Sequence, residues 1–166
     1  MLSSRYFEKI TFLQFKNDIC DDIELYNKYE LPKRSTSDSC GYDIKAIKSL
    51  EIAPGEIVKI PTGIKAYFLK DEFLMLVVRS SMGFKYNIRM CNQVGIIDSD
   101  YYNNCDNEGH IWIALQNEGK KVFSIKSGDA ICQGIFLNYL TCDDINNNVR
   151  VGGIGSTNSL EDKENW

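Results

Sequence analysis

Between residues 50 and 140, short apolar runs follow one another closely, each closed by glycine, proline, asparagine or aspartate, and almost none carries a helical period. Ala53-Pro54-Gly55-Glu56 is a turn between two such runs, and Ile57-Val58-Lys59-Ile60-Pro61-Thr62-Gly63-Ile64-Lys65-Ala66 alternates with its own breaks. Residues 73–78 are apolar on both faces; residues 110–117, 120–125 and 131–140 supply three more runs, the last entered through Ser127-Gly128-Asp129. Many short strands with one plausible short helix predict an all-β sandwich or jelly roll. Near the N-terminus, Ile10-Thr11-Phe12-Leu13-Gln14-Phe15 reads as a further alternating strand, with Ile10 and Phe12 on one face.

A chain of 166 residues that is 43% hydrophobic and 25% charged suits one globular domain with a substantial core. Residues 73–78 are the longest apolar run and far too short to span a bilayer, and Met1-Leu2-Ser3-Ser4-Arg5 lacks the hydrophobic stretch of a signal peptide. An intracellular, cytoplasmic protein without a membrane partner is therefore expected. Six cysteines form no C-x-x-C pair, which favours reduced structural thiols over a zinc site or a disulfide framework. A net charge of −4 without a basic block lacks the surface of a general nucleic-acid binder, whereas a small anionic ligand needs only a few focused cations.

Candidate chemistry is concentrated in Asn92-Gln93-Val94-Gly95-Ile96-Ile97-Asp98-Ser99-Asp100-Tyr101, a buried-strand pattern that ends in two carboxylates and a tyrosine. Gly95 marks a bulge or a close approach to the backbone, and in an extended chain Asp98 and Asp100 share a side. An ordinary strand running into an Asp/Ser turn is the alternative. Arg79-Ser80-Ser81-Met82-Gly83 follows the run at 73–78 and reads as a serine-capped helix start beside a guanidinium suited to phosphate or carboxylate. Cys40-Gly41-Tyr42-Asp43-Ile44-Lys45-Ala46 is a hairpin corner or part of a site. Gln133 interrupts an apolar run, so its amide needs partners, from a neighbouring strand or from a ligand. His110, the single histidine, reads as structural. Gly152, Gly153 and Gly155 with Ser156 and Thr157 suit phosphate wrapping or a loose terminus. They form neither a Rossmann fingerprint nor a P-loop.

Together and in this order, five stretches resemble the five motifs of the trimeric dUTP pyrophosphatases (dUTPases): residues 40–46, 79–83, 95–101, 128–136 and 150–157. The resemblance implies a jelly-roll (β-clip) subunit over residues 1–145 and a flexible C-terminal arm over 146–166. It also implies a homotrimer with sites at subunit contacts. In such a site Asp98 would activate the water that attacks the α-phosphorus of dUTP, leaving dUMP and pyrophosphate, with Mg²⁺ held mainly by phosphate oxygens and water. Tyr101 would lie under the deoxyribose, while Asn92, Gly95, Ile96 and Ile97 would read the uracil edge. Arg79, Ser80, Ser81 and Gln133 would contact phosphates, Arg150 the γ-phosphate, and Gly155 with Ser156 would wrap it. Asp43 would reach the metal's water shell or hold Arg79.

The chain departs from the family pattern at four points. Ile154 stands where many members carry a phenylalanine over the uracil, Asn158 replaces a glycine, and the second motif reads Arg-Ser-Ser. After Tyr101, the usual Arg-Gly is Tyr102-Asn103, followed by an inserted polar loop before Gly109. A dCTP deaminase of the same fold is the nearest rival, but Ala114 stands where that family places its glutamate. A nucleotide-sensing regulatory protein is another alternative.

Overall fold

The computed structural model describes residues 5–143, 150, 152 and 153. The chain begins with β1 (Tyr6–Lys9), α1 (Phe12–Asp18), α2 (Ile23–Lys28), β2 (Lys33–Arg34), β3 (Tyr42–Lys45) and β4 (Leu50–Ile52). It continues through β5 (Ile57–Pro61), β6 (Ile64–Tyr67), β7 (Glu72–Val77), α3 (Ser80–Tyr86), β8 (Ile88–Met90) and β9 (Gly95–Asp98). A 3₁₀ turn over Ser99–Tyr101 leads to β10 (Trp112–Asn117), β11 (Phe123–Ile125) and β12 (Ala130–Asn138). The all-β class holds.

The largest sheet has the order β2-β3-β12-β7-β9, with every neighbouring pair antiparallel. Smaller sheets pair β5-β10-β8, β11-β4 and β1-β6. Alternation does the sorting: β7 sends Glu72, Leu74 and Leu76 inward, and β10 sends Ile113, Leu115 and Asn117. With Ile44, Ile52, Ile64, Ile88 and Ile131, the apolar side chains Leu74, Leu76, Ile113 and Leu115 make the main core. Asn117 tolerates full burial because its amide donates to Ile52 O and Lys121 O and accepts from Gly119 N.

Two expectations are corrected at the N-terminus. The segment read as a strand over residues 10–15 enters α1, and the described residues contain three short α-helices rather than one. Thr11 caps α1 by accepting from Gln14 N, and Asp22 caps α2 by accepting from Leu25 N. Phe15 is fully buried, Phe12 and Ile19 are partly buried beside it, and Leu13 faces solvent, a one-sided helical pattern. Ile10, Phe15 and Ile47 centre a second, smaller core, against which Tyr26 and Tyr29 pack; Phe15 and Tyr29 stack with centroids 5.6 Å apart. Among the described residues no helix is long and apolar enough to cross a membrane.

Candidate active site

Two clusters of charged and polar side chains lie at opposite ends of the largest sheet. At one end β12 runs between β3 and β7, with Gln133 opposite both Asp43 and Val77. Asp43 Oδ1 accepts from Gln133 Nε2 at 3.1 Å and faces Arg79 Nε at 3.4 Å; its Oδ2 accepts from Ser35 Oγ at 2.7 Å. A Cβ on Gly41 would lie 3.1 Å from Gln133 Cδ, so the glycine leaves room for that side chain against the backbone. Arg79 is itself the N-cap of α3, without a side-chain cap bond, and Ser80 and Ser81 form the first turn, exposed. The serine-cap expectation is thus displaced by one residue. An open groove beside this helix is lined by Arg79, Ser81, Met82, Ser124, Asp129 and Ile131.

At the other end β9 pairs with β7, Gly95 opposite Leu76 and Asp98 opposite Phe73. Gly95 is a place of close approach: a Cβ there would meet Leu76 Cβ at 3.1 Å and Met90 Cε at 3.3 Å. Asn92 and Val94 lie in the preceding turn, closed by Val94 N donating to Asn92 O, and Ile96 faces solvent while Ile97 packs against the main core. The extended chain stops at Asp98. The 3₁₀ turn, rather than strand alternation, brings Asp100 round so that both carboxylates meet one guanidinium. Arg150 Nη2 donates to Asp98 Oδ2 at 2.9 Å and its Nε to Asp100 Oδ1 at 2.8 Å. The Asp98 side chain is 57% exposed and that of Arg150 only 13%. Arg150 also lies over the Tyr101 ring, 5.7 Å from its centroid, and Tyr101 is buried. Burial pushes the Tyr101 hydroxyl pKa up, against the lowering influence of the Asn107 hydrogen bond and the Arg150 charge.

Strand register sets the distance between the clusters. Leu137 lies opposite Phe73, which lies opposite Asp98, four residues along β12 from Gln133 and two strands across. At about 3.3 Å per residue and about 4.8 Å per strand, Gln133 and Asp98 are about 16 Å apart. The structure therefore brings together Asp43, Arg79 and Gln133, and separately Asp98, Tyr101 and Arg150. Ile154, Gly155 and Ser156 lie outside the described residues.

Several contributors had no role in the sequence reading. Ser35 sits in a polar loop with nothing to mark it. Asp106 accepts from Gly153 N at 2.9 Å, and Asn107 donates to the Tyr101 hydroxyl at 2.9 Å; both belong to the polar insertion, the one hint available. His110 is structural as expected, fully buried, with Nδ1 2.5 Å from Asp18 Oδ2. Among the described residues, no three His, Cys, Asp or Glu side chains gather to hold a metal ion.

Fold and clusters together define an all-β protein whose guanidinium and carboxylate groups suit a small phosphorylated ligand. The dUTPase family profile matches residues 27–158. The chain is 43% identical over 143 residues to the deoxyuridine 5'-triphosphate nucleotidohydrolase of Lactococcus lactis, covering 81% of this chain and 95% of that protein. The crystal structure of dUTPase from Streptococcus mutans superposes with a TM-score of 0.68 at 40% identity, over 83% of this chain and 98% of that one. A dUTPase from phage phi11 of S. aureus, solved with a structural Mg(II) ion, shares the fold at 16% identity and a TM-score of 0.66, over 87% and 96% of the two chains. The chain belongs to the dUTPase family.

Proposed function

We propose that this member of the dUTPase family hydrolyses dUTP to dUMP and pyrophosphate, at sites formed between copies of the chain in a homotrimer. The observation that carries this reading is the split of the candidate residues. Gln133, which shares Asp43 with Arg79, lies about 16 Å from Asp98 across one sheet, so a second copy can bring its Asp98 to the first copy's Arg79. Cyclic symmetry then makes equal sites from one sequence.

In this mechanism Asp98, a solvent-open carboxylate, orients and deprotonates a water for in-line attack on the α-phosphorus, and pyrophosphate leaves. Arg79, Ser80, Ser81 and Gln133 hold phosphate oxygens. Arg150 leaves Asp98 and Asp100 for the γ-phosphate, which frees the base and uncovers the Tyr101 ring for the deoxyribose. Asn92, Gly95, Ile96 and Ile97 meet the uracil edge. The close contacts of Gly95 with Leu76 and Met90 hold this strand tightly on the core, and a base edge read by so firmly seated a backbone is a site that rejects a larger base. Residues 146–166 act as the closing arm, with Ile154, Gly155 and Ser156 over the nucleotide.

Mg²⁺, when bound, neutralises and orients the triphosphate. The donor set fits an ion carried by the substrate: Asp43 faces Arg79, Asp98 and Asp100 both face Arg150, and among the described residues no three such side chains gather to hold a metal. The three partners of Asp43 support its role as the support of Arg79 more than as a metal-shell ligand. The deaminase alternative is weak, because Ala114 on β10 offers no proton-carrying group. A cytoplasmic location suits an enzyme of the nucleotide pool with six free cysteines.

The test is pyrophosphate release from dUTP, UTP, dTTP and dCTP in parallel, with and without Mg²⁺. Turnover of dUTP alone, dependent on the metal, is expected. Asp98→Asn should lower that turnover by about 10²–10⁴-fold while nucleotide binding stays nearly intact. Equal turnover in the variant would end the water-activation role.

A further inference from the structure

The Tyr101 side chain is held by groups from outside its own motif. Its hydroxyl donates to His110 O at 3.0 Å and accepts from Asn107 Nδ2 at 2.9 Å. Asn107 is fixed in turn: its Oδ1 accepts from Asn104 Nδ2 at 2.9 Å and from Gly109 N at 3.1 Å, and its amide also reaches His110 O at 3.3 Å. His110 is locked from both sides. Gly63 N can only donate, so Nε2, 2.9 Å away, accepts, and the ring is neutral with its proton on Nδ1, donated to Asp18 Oδ2 at 2.5 Å. Gln14 Nε2 holds the same carboxylate oxygen at 2.8 Å. Asp18 and Gln14 are on α1, which lies before the start of the dUTPase match at residue 27.

We infer that Asp18, His110 and Asn107 are positioning residues for Tyr101, and that the N-terminal helix thereby sets how strictly the site refuses a ribonucleotide. This rests on the proposed placement of the deoxyribose against Tyr101. A ring that excludes a single hydroxyl works only if it cannot tilt, and a phenol has two side-chain torsions to restrain. Packing limits one end of the Tyr101 ring, and the two hydrogen bonds to a buried carbonyl and a buttressed amide pin the other. Without the amide the hydroxyl end keeps one bond. Without Asp18 the His110 ring loses the acceptor for its Nδ1 proton, and the residue whose carbonyl receives the Tyr101 hydroxyl loses one of its two side-chain anchors.

The experiment compares kcat/KM for dUTP and UTP, by pyrophosphate release, in the full chain and in Asn107→Ala, Asp18→Ala, Tyr101→Phe, Tyr101→Ala and the Tyr101→Phe/Asn107→Ala double variant. Thermal melting checks that each is folded. The dUTP-over-UTP ratio should fall about tenfold in Asn107→Ala and Asp18→Ala, mainly through faster use of UTP. Asp18→Glu should restore part of it. The double variant should be no less selective than Tyr101→Phe alone, because Asn107 acts through the missing hydroxyl. If Tyr101→Ala shifts the ratio while Tyr101→Phe and Asn107→Ala leave it unchanged, the positioning role is overturned. If Tyr101→Ala itself leaves the ratio unchanged, the placement of the sugar fails instead. Should Asp18→Ala not fold, the Asn107 cycle decides the matter alone.

Discussion

Gly109 turns the chain immediately below Tyr101 with φ +81°, and a Cβ there would fall 2.6 Å from Tyr101 O and 2.9 Å from Tyr102 Cα. Both neighbours are backbone and cannot swing aside. Gly109→Ala should therefore cost about 2–4 kcal/mol, seen as a lowered urea midpoint, and should disturb the tyrosine more than any distant surface change. His110 gives a second residue-scale expectation. Burial lowers its pKa, and the hydrogen bond to Asp18 and the charges of Asp18 and Glu108 oppose that without cancelling it. The unfolded chain then takes up the imidazole proton first, so stability is complete above the ordinary histidine value of about 6.5 and declines as pH falls through the folded value. This is the only histidine, so urea titrations between pH 7.5 and 5 should isolate its contribution. A folded His110→Gln variant should show a flatter profile over that window.

Among the elements, the strands were readable as short apolar runs closed by turn-forming residues, as in β7, β10 and β12. The N-terminal helices were not. In Ile10-Thr11-Phe12-Leu13-Gln14-Phe15 the pair Ile10 and Phe12 satisfies a period of two, while Phe12, Phe15 and Ile19 satisfy a helical one. Six residues cannot choose between them. Thr11 three positions before Gln14 was the deciding signal, a cap whose hydroxyl now accepts from the Gln14 amide. The site was legible in type but not in wiring: Asp98, Arg79 and Arg150 declare charge, whereas the bond from Asn107 to Tyr101 depends on the path of an insertion that no local pattern describes. Arg150 supplies the prediction at this scale. Removing residues 150–166 takes away the guanidinium that bridges Asp98 and Asp100 but leaves in place every strand found among the described residues. The truncated chain should melt within a few degrees of the full one while dUTP turnover falls by about 10²-fold or more. Undiminished turnover would remove the arm from the mechanism.

For the whole molecule, the distance across the sheet makes subunit mixing informative. Chains carrying Arg79→Ala and chains carrying Asp98→Asn should each be nearly inactive alone. Unfolded together and refolded, they should regain a measurable share of dUTP hydrolysis, because some sites draw an intact Arg79 from one copy and an intact Asp98 from another. Failure of well-mixed trimers to recover any activity would mean that a single chain completes its own site. Exposed apolar side chains such as Val94, Ile96, Phe84 and Leu140 are available for contacts between copies.

In the proposed assembly, the sheet that keeps Gln133 and Asp98 apart would also separate folding from competence. On the proposed shared site, a newly made chain would acquire its β structure within itself and gain hydrolytic power only on meeting its neighbours. After dilution from denaturant, circular dichroism should recover at a rate independent of protein concentration, while catalysis lags behind and its delay shortens as more chains are present.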